Sequence, residues 1–233
     1  MKDIWRVLQA VILITMAAPA AKAQAPYVYA AHLTYSVIYD YSHMQPACVY
    51  YILDEPDFRG TITNKPKHYK MDYRLPPPRL RNDAYTFSGY QRGHLCPSGD
   101  RDSRKDWFKD TFYTSNILPM TANTNAGAWK EVELHCRKLC LGGHVLKIAC
   151  GPVWYQRPTR CNTIHELAVP TSIWKIAKCI VHPDEVEFWV IPNTNERISS
   201  NKCGHDPAEL GQLIPSTIFN YLQSWLQTRF PEE

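Results

Sequence analysis

The segment from Tyr90 to Arg137 constrains the fold of this chain more than any other part of its sequence. It begins with Gln91-Arg92-Gly93-His94, continues through an apolar stretch at Phe112 to Leu118, and ends in an amphipathic stretch at Ala128 to Leu139. The first apolar stretch is typical of a strand, here ended by Pro119, whereas apolar residues at three- and four-residue steps predict a helix. The segment therefore predicts a strand–loop–strand–helix element with a histidine near its start.

The polar residues of this segment are suited to phosphodiester hydrolysis. A neutral His94 imidazole can remove a proton from an attacking water. The amide oxygen of Asn125, together with waters, can hold a hard cation such as Mg²⁺. The planar guanidinium of Arg92 matches phosphate oxygens. Glu133 and Arg137 lie one helical turn apart, where Glu133 can hold a metal-bound water and Arg137 can contact phosphate.

Several of these residues also have a purely structural interpretation. An asparagine just before a helix is often its N-cap, and Asn123 to Asn125 directly precede the predicted helix. Glu133 and Arg137 can form an i,i+4 surface pair, and Trp129 is expected in the core. A basic cluster after the histidine is either a solvated face or a contact for a nucleic-acid backbone; it consists of Arg101, Arg104, Lys105 and Lys109.

The motifs of this segment resemble those of the DNA/RNA non-specific endonucleases, the ββα-metal (His-Me finger) nucleases that include endonuclease G. The family's Asp-Arg-Gly-His motif corresponds to Gln91 to His94, and its Ser-Asn-Ile-x-Pro-Gln motif corresponds to Ser115 to Met120. Gln91 thus replaces an Asp, and Met120 replaces a Gln. The family's third motif has Asn, Trp, Glu and Arg at four-residue intervals, which this chain keeps at Asn125, Trp129, Glu133 and Arg137.

The resemblance implies an endonuclease that hydrolyses phosphodiester bonds of DNA and RNA with little sequence preference, leaving 5′-phosphates. It implies one Mg²⁺, for which Mn²⁺ can substitute, with Asn125 as the metal ligand. The catalytic residues implied are His94, Arg92, Glu133, Arg137 and Asn116, of which Asn116 orders the loop around the site. Two alternatives remain open. One is a weak or inactive nucleic-acid-binding relative, suggested by Gln91 and Met120, and the other is a phosphodiesterase for smaller substrates.

Residues 1–23 are predicted to be a secretion signal. Lys2 and Arg6 precede an apolar run at Val7 to Ala18, and Ala21-Lys22-Ala23 is typical of a cleavage site. A membrane anchor is disfavoured because the run is too short to span a bilayer comfortably. The expectation is a single nuclease domain at residues 24–233, periplasmic or secreted, without stable membrane association. Without the signal the net charge falls from +4 to +2, so nucleic-acid contact requires a local basic patch.

The chain contains eight cysteines, all beyond the predicted signal. An even number of cysteines behind an export signal predicts disulfides. The alternative is a zinc site on one helix face, formed by His135, Cys136, Cys140 and His144. Cys136 and Cys140 lie one turn apart, which is poor geometry for a bridge between them.

The rest of the chain predicts an α+β fold with a central mixed or antiparallel sheet, helices and the ββα-metal active-site element. Polar–apolar alternation at His32 to Tyr39 is typical of a strand. The polar segment from Asp54 to Ser88, which contains turn-forming residues, is predicted to be mainly loop. A C-terminal helix, interrupted near Pro215, is predicted at Pro207 to Phe230. Core strands are predicted at Cys48 to Leu53, Val145 to Ala149, Ile173 to Val181 and Val186 to Ile191.

Overall fold

The computed structural model describes residues 27–62, 66, 69–154, 159–161 and 167–228, so the predicted signal at residues 1–23 lies outside the described residues. The strands are β1 (Tyr27–Ala31), β2 (Ser36–Asp40), β3 (Gln45–Leu53), β4 (Gln91–His94), β5 (Ile117–Met120), β6 (Leu146–Val153), β7 (Thr159–Cys161), β8 (Leu167–Val169), β9 (Ser172–Cys179) and β10 (Val186–Pro192). The α-helices are α1 (Lys105–Asp110), α2 (Ala122–Ala126), α3 (Ala128–Leu141), α4 (Leu210–Leu213) and α5 (Ser216–Gln227).

A six-stranded antiparallel sheet with the order β1-β2-β3-β6-β9-β10 forms the centre of the molecule. One face packs against α3 and the β4–β5 pair, where Trp129 and Met120 join the core. The other face packs against α4 and α5 through residues such as Leu210 and Leu222. Strands covered on both faces are apolar nearly throughout, as in β6, where every residue is buried. The predicted α+β class is confirmed.

The strand predicted at His32 to Tyr39 is confirmed only from Ser36, where β2 begins, because the chain turns at His32 to Tyr35 between β1 and β2. The His32 ring is buried, with Nε2 lying 3.0 Å from an oxygen of Asp72 and Nδ1 lying 3.5 Å from one of Asp110. Burial favours the neutral imidazole, yet its contacts with both aspartates raise the pKa of His32. These contacts join the turn to distant parts of the chain, which local alternation cannot reveal.

The second strand of the site element also differs from its prediction. Residues Thr114–Asn116 form a short 3-10 turn, and β5 starts after it and runs through Pro119 instead of ending there. A proline is tolerated at this position because β5 pairs with only one strand, β4, among the described residues.

Among the described residues, no helix has the length and apolar character needed to cross a membrane.

The disulfide prediction is contradicted for every cysteine whose side chain the structure describes. Seven thiols are free and buried, at Cys48, Cys96, Cys136, Cys140, Cys150, Cys179 and Cys203. Burial raises the pKa of Cys140 and of Cys150 to about 12, and their thiols donate to the Leu53 carbonyl at 3.4 Å and the Leu95 carbonyl at 3.3 Å. Such thiols act as small apolar core residues and are poor thiolate nucleophiles.

We therefore expect at least seven labelled cysteines when the protein is denatured with a chelator and alkylated without reductant. A fully reduced sample, which should carry eight labels, is the control. Mass spectrometry of the intact chain gives both numbers. Two or fewer labels in the unreduced sample would restore the disulfide prediction.

Candidate active site

The pairing of β4 with β5 sets which side chains share a face at the site. The register places His94 opposite Ile117 and Gln91 opposite Met120. Because side chains alternate along a strand, Arg92 and His94 point to one face and Gln91 to the other. Arg92 and His94 both contact Tyr69, whose ring centroid lies 5.6 Å from the guanidinium carbon of Arg92 and 5.5 Å from the His94 ring centroid.

His94 is half-buried at the end of β4 and is held from two sides. Its ring packs edge-to-face on Phe112, with centroids 4.9 Å apart. Its backbone carbonyl accepts a hydrogen bond from Trp129 Nε1 at 3.0 Å. Since Trp129 lies in the first turn of α3 and is buried, this bond fixes the helix against the strand that carries the histidine.

Asn116 is fully buried and binds the chain just beyond His94. Its Oδ1 accepts from the amide of Cys96 at 2.8 Å, and its Nδ2 donates to the carbonyls of Cys96 at 2.9 Å and Thr111 at 2.8 Å. The amide side chain therefore satisfies both backbone groups of Cys96, which are buried polar groups that are costly to leave unpaired. Asn116 thus orders the chain after His94, and its supporting role in catalysis stays a prediction.

Arg92 lies near the same face but is already engaged. Its Nε donates to Asn82 Oδ1 at 2.8 Å, and Nη2 donates to the Asn82 carbonyl at 3.0 Å. The guanidinium also lies over the Tyr85 ring, 5.4 Å from its centroid. These contacts orient the Arg92 guanidinium and leave the residue partly exposed. The guanidinium therefore keeps the geometry needed to bind phosphate oxygens.

Asn125 lies in α2 and does not cap α3, which corrects the N-cap interpretation. Thr121 caps α2, accepting from the Thr124 amide, and Gly127 separates the two helices. The Asn125 side chain donates from Nδ2 to Gln91 Oε1 at 2.7 Å. Its nitrogen is therefore committed to β4, and its Oδ1 is the atom left to meet a cation.

Glu133 lies in the second turn of α3, eight residues after Asn125, and is half-buried. Burial and nearby Asp100 raise the pKa of its carboxyl, while Lys175 and Arg137 lower it, and together they bring the pKa from 4.5 to about 7. Lys175 is fully buried on β9, and its ammonium lies 4.3 Å from the centroid of the Trp129 ring. A carboxyl with such a pKa is able to exchange its proton for a cation near neutral pH.

The raised pKa predicts how stability depends on pH. Between about 4.5 and about 7, the folded protein binds the Glu133 proton more tightly than the unfolded chain, so this group's contribution is lost as pH rises through that window. We expect Glu133→Gln to flatten this change. Urea midpoints at about pH 5 and about pH 8, with chelator present, measure it.

Glu131→Gln is the matched control on the same helix. Its carboxylate accepts from the Ser200 amide, which lowers the pKa of Glu131, so its effect falls below this window. A Glu133→Gln protein with an unchanged pH profile would contradict the assignment.

Arg137 forms an ion pair with Asp100, a residue that sequence reasoning missed. One guanidinium nitrogen, Nη1, donates to Asp100 Oδ1, and Tyr51 donates from its hydroxyl to Asp100 Oδ2 at 3.0 Å. Asp100 is buried. The prediction that Arg137 contacts phosphate stays a prediction. Nothing in the sequence distinguishes Asp100 from the other acids of its loop.

Arg101, the first residue of the predicted basic cluster, does not belong to an exposed basic surface. Arg101 is buried, pairs with Asp57 at 3.0 Å and donates to the carbonyls of Thr34 and Ile52 at 3.1 and 2.6 Å. It is a structural residue, which is a correction to its proposed contact with nucleic acid. Arg104, Lys105 and Lys109 remain exposed.

Met120, one of the two departures from the family motif, is a core residue. It is fully buried, and a Cβ placed on Gly93 would lie 2.2 Å from its sulfur. Gly93 thus permits the close approach of Met120, which fills the space beside β4. The other departure, Gln91, is the cross-strand partner of Met120 and is the residue bonded to Asn125.

The donor atoms present are compatible with a hard divalent cation. Asn125 offers an amide oxygen whose partner nitrogen is already bonded to Gln91, and Glu133 offers a carboxylate. Mg²⁺ prefers oxygen ligands and keeps several waters, so few protein ligands suffice.

Comparisons with known proteins bear on the family to which the chain belongs. The family model described as DNA/RNA non-specific endonuclease matches residues 16–224. The mitochondrial nuclease EXOG of Danio rerio is 30% identical over 169 residues, covering 66% of this chain and 49% of that protein. A nuclease of Nostoc sp. is 31% identical over 143 residues, covering 60% and 50%. The chain spans about half the length of the curated relatives it matches.

A crystal structure of the EndoG/EndoGI complex superposes with a TM-score of 0.67, covering 81% of this chain and 85% of that chain at 23% identity. This likeness shows the fold. The match of the family model extends over most of the sequence and includes all three motifs. The chain therefore belongs to the DNA/RNA non-specific endonuclease family.

Proposed function

We propose that this protein is a metal-dependent endonuclease that hydrolyses phosphodiester bonds of DNA and RNA with little sequence preference. The observation that carries the proposal is the placement of His94 and Asn125 on one ββα element. His94 ends β4, and the Asn125 amide is bonded to Gln91 at the start of the same strand. This arrangement supports His94 as the general base and the Asn125 oxygen as the ligand for one Mg²⁺.

In the proposed reaction, His94 takes a proton from the water that attacks phosphorus, which requires a neutral imidazole. Arg92 and Arg137 supply positive charge to the phosphate region. Glu133 orients water next to Asn125 through its ionised carboxylate, and Asn116 fixes the loop after His94. Mg²⁺, when bound, supplies charge that stabilises the phosphorane-like transition state and the leaving oxygen.

We further propose that the protein is exported, on the basis of the predicted signal at residues 1–23. The buried thiols are compatible with an oxidising compartment because oxidants have little access to them. A basic surface of Arg104, Lys105 and Lys109 is the local patch proposed to contact the nucleic-acid backbone.

Digestion of supercoiled plasmid and of unrelated RNA, with Mg²⁺ and with excess chelator, tests the proposed activity. We expect cleavage of both polymers with Mg²⁺ and none with chelator. DNA binding without cleavage would favour the inactive binding relative. Cleavage of small phosphodiesters with intact polymer would favour the alternative phosphodiesterase.

Gln91 gives a test of how the metal ligand is positioned. Gln91→Leu removes the acceptor that holds the Asn125 amide, and we expect affinity for Mn²⁺ to fall by about tenfold, as is usual when a group that orients a ligand is removed. Gln91→Asp keeps an acceptor and adds charge, so it should fold normally and change cleavage modestly, including upward. Mn²⁺ titration followed by electron paramagnetic resonance measures the affinity.

In this comparison, the wild-type protein should have the highest affinity for Mn²⁺ and Asn125→Ala the lowest. Gln91 is exposed, so Gln91→Leu should leave the unfolding midpoint unchanged. Equal Mn²⁺ affinity for wild type and Gln91→Leu would show that the bond to Asn125 does not position the ligand.

A further inference from the structure

A second group of ligating side chains lies at the other end of α3 from Asn125. Cys179 ends β9 and pairs with Leu146 at the start of β6, which brings it close to His144 in the loop after α3. Glu185 directly precedes β10. One ligating atom from each of His144, Cys179 and Glu185 lies within 4.8 Å of the other two.

The turn between β9 and β10 is held in a fixed conformation around the sulfur. The Cys179 amide donates to the Glu185 carbonyl at 2.9 Å, and the Glu185 amide donates to the His182 carbonyl at 2.9 Å. The His182 amide donates to Cys179 Sγ at 3.3 Å. This backbone N–H fixes the position of the sulfur, which binds metal as a thiolate.

His144 has the orientation of a metal-ligating histidine. Its Nδ1 lies 3.0 Å from the Leu139 carbonyl, and its Nε2 lies 2.9 Å from Glu185 Oε2. Ligating histidines usually donate their second ring nitrogen to such a carbonyl, which leaves the other nitrogen for the metal. The Leu139 carbonyl also belongs to the last turn of α3, whose partial negative charge favours a cation.

The His182 ring lies at the edge of this group. Its ring centroid lies 5.7 Å from that of His144, and it is exposed on the same turn. One thiolate, two imidazoles and one carboxylate are a ligand set of the kind that tetrahedral Zn²⁺ accepts.

We propose that His144, Cys179, Glu185 and His182 form a zinc site that joins the β9–β10 turn to the loop between α3 and β6. It replaces the helix-face zinc set considered from the sequence, of which only His144 belongs to it. Cys136 and Cys140 are buried in the core, and His135 contacts Glu187 at 2.9 Å. The site lies about 20 Å from the N-terminal end of α3, given the rise of a helix of this length.

Metal binding at this site has a simple proton balance. The Cys179 thiol loses its proton to solvent on forming the zinc–sulfur bond, and any proton on His144 Nε2 or His182 is also released. Neither oxidation nor reduction takes place. Affinity should therefore rise with pH.

Cobalt substitution of the chelator-stripped, full-length protein tests the proposal. We expect about one Co²⁺ bound through sulfur per chain, giving a thiolate-to-cobalt absorption band in the near ultraviolet. The proposed Mg²⁺ site has no sulfur ligand, so it cannot produce this band. Zn²⁺ at about a hundredfold over its dissociation constant should raise the melting temperature by about 5–10 °C.

Three variants and one control locate the metal. Cys179→Ser and His144→Ala should lose the band or bind Co²⁺ at least about tenfold more weakly. Glu185→Gln changes an exposed side chain, so it folds even if Cys179→Ser does not, and it should weaken Co²⁺ binding. Cys136→Ser, which removes a buried thiol on α3 outside the proposed site, should keep the band. A wild-type protein without the band, or Glu185→Gln with unchanged affinity and band, would overturn the proposal. Cleavage is not a readout, so failure here is distinguishable from failure of the nuclease assignment.

Discussion

His94→Ala is expected to reduce Mg²⁺-dependent plasmid cleavage by at least about a hundredfold, the usual scale for loss of a general base. The imidazole is the group placed to take the proton of the attacking water. Its removal leaves the backbone carbonyl of residue 94 available to Trp129. Folding and DNA affinity should therefore persist, and cleavage rates across a Mg²⁺ series measure the effect.

Asn125→Ala is the companion variant, because it removes the proposed ligand and retains the base. It should lose about as much activity at low Mg²⁺ and recover part of it with excess Mg²⁺, whereas His94→Ala should not recover. Added imidazole is expected to rescue only His94→Ala, since it supplies a base in solution. Near wild-type cleavage by His94→Ala would refute the mechanism, and DNA binding without cleavage by all forms would favour the inactive relative.

The largest loss of stability is expected for Asp100→Ala. The Asp100 carboxylate is buried and accepts from Arg137 and from the Tyr51 hydroxyl. Its removal leaves a partly buried guanidinium and a buried phenol without their acceptor. Breaking such a pair from one side typically costs about 3–5 kcal/mol of unfolding free energy. Urea denaturation at neutral pH measures this difference.

Two further variants serve as comparisons: Asp100→Asn removes the charge but keeps an acceptor, and Asp106→Ala removes an exposed ion pair. Asp100→Asn keeps an acceptor for Tyr51 or Arg137 and should lose less stability than Asp100→Ala. Asp106→Ala removes an exposed carboxylate that pairs with Arg104 at 3.1 Å, where solvent screening leaves little net contribution. If Asp100→Ala and Asp106→Ala have the same unfolding midpoint, Asp100 does not hold this part of the site.

The sequence by itself determined the local features of the protein. The helix from Ala128 was predictable because its apolar residues recur at helical spacing, and the structure extends it only to Leu141. The core strands were predictable because sheet residues covered on both faces form nearly continuous apolar runs. Four-residue steps likewise place Trp129, Glu133 and Arg137 along one side of α3, since helix geometry depends only on neighbouring residues.

Only the tertiary structure decided which distant groups meet. Asp100 lies 37 positions from Arg137 and Gln91 lies 34 from Asn125, and no local periodicity links residues at such separations. The even number of cysteines suggested bridges, but oxidation depends on which thiols face one another, and the described ones are free and buried. For the same reason His144 and Cys179, 35 positions apart, come together only when β6 pairs with β9. Local physics specified the elements, and the packing of the sheet specified the chemistry between them.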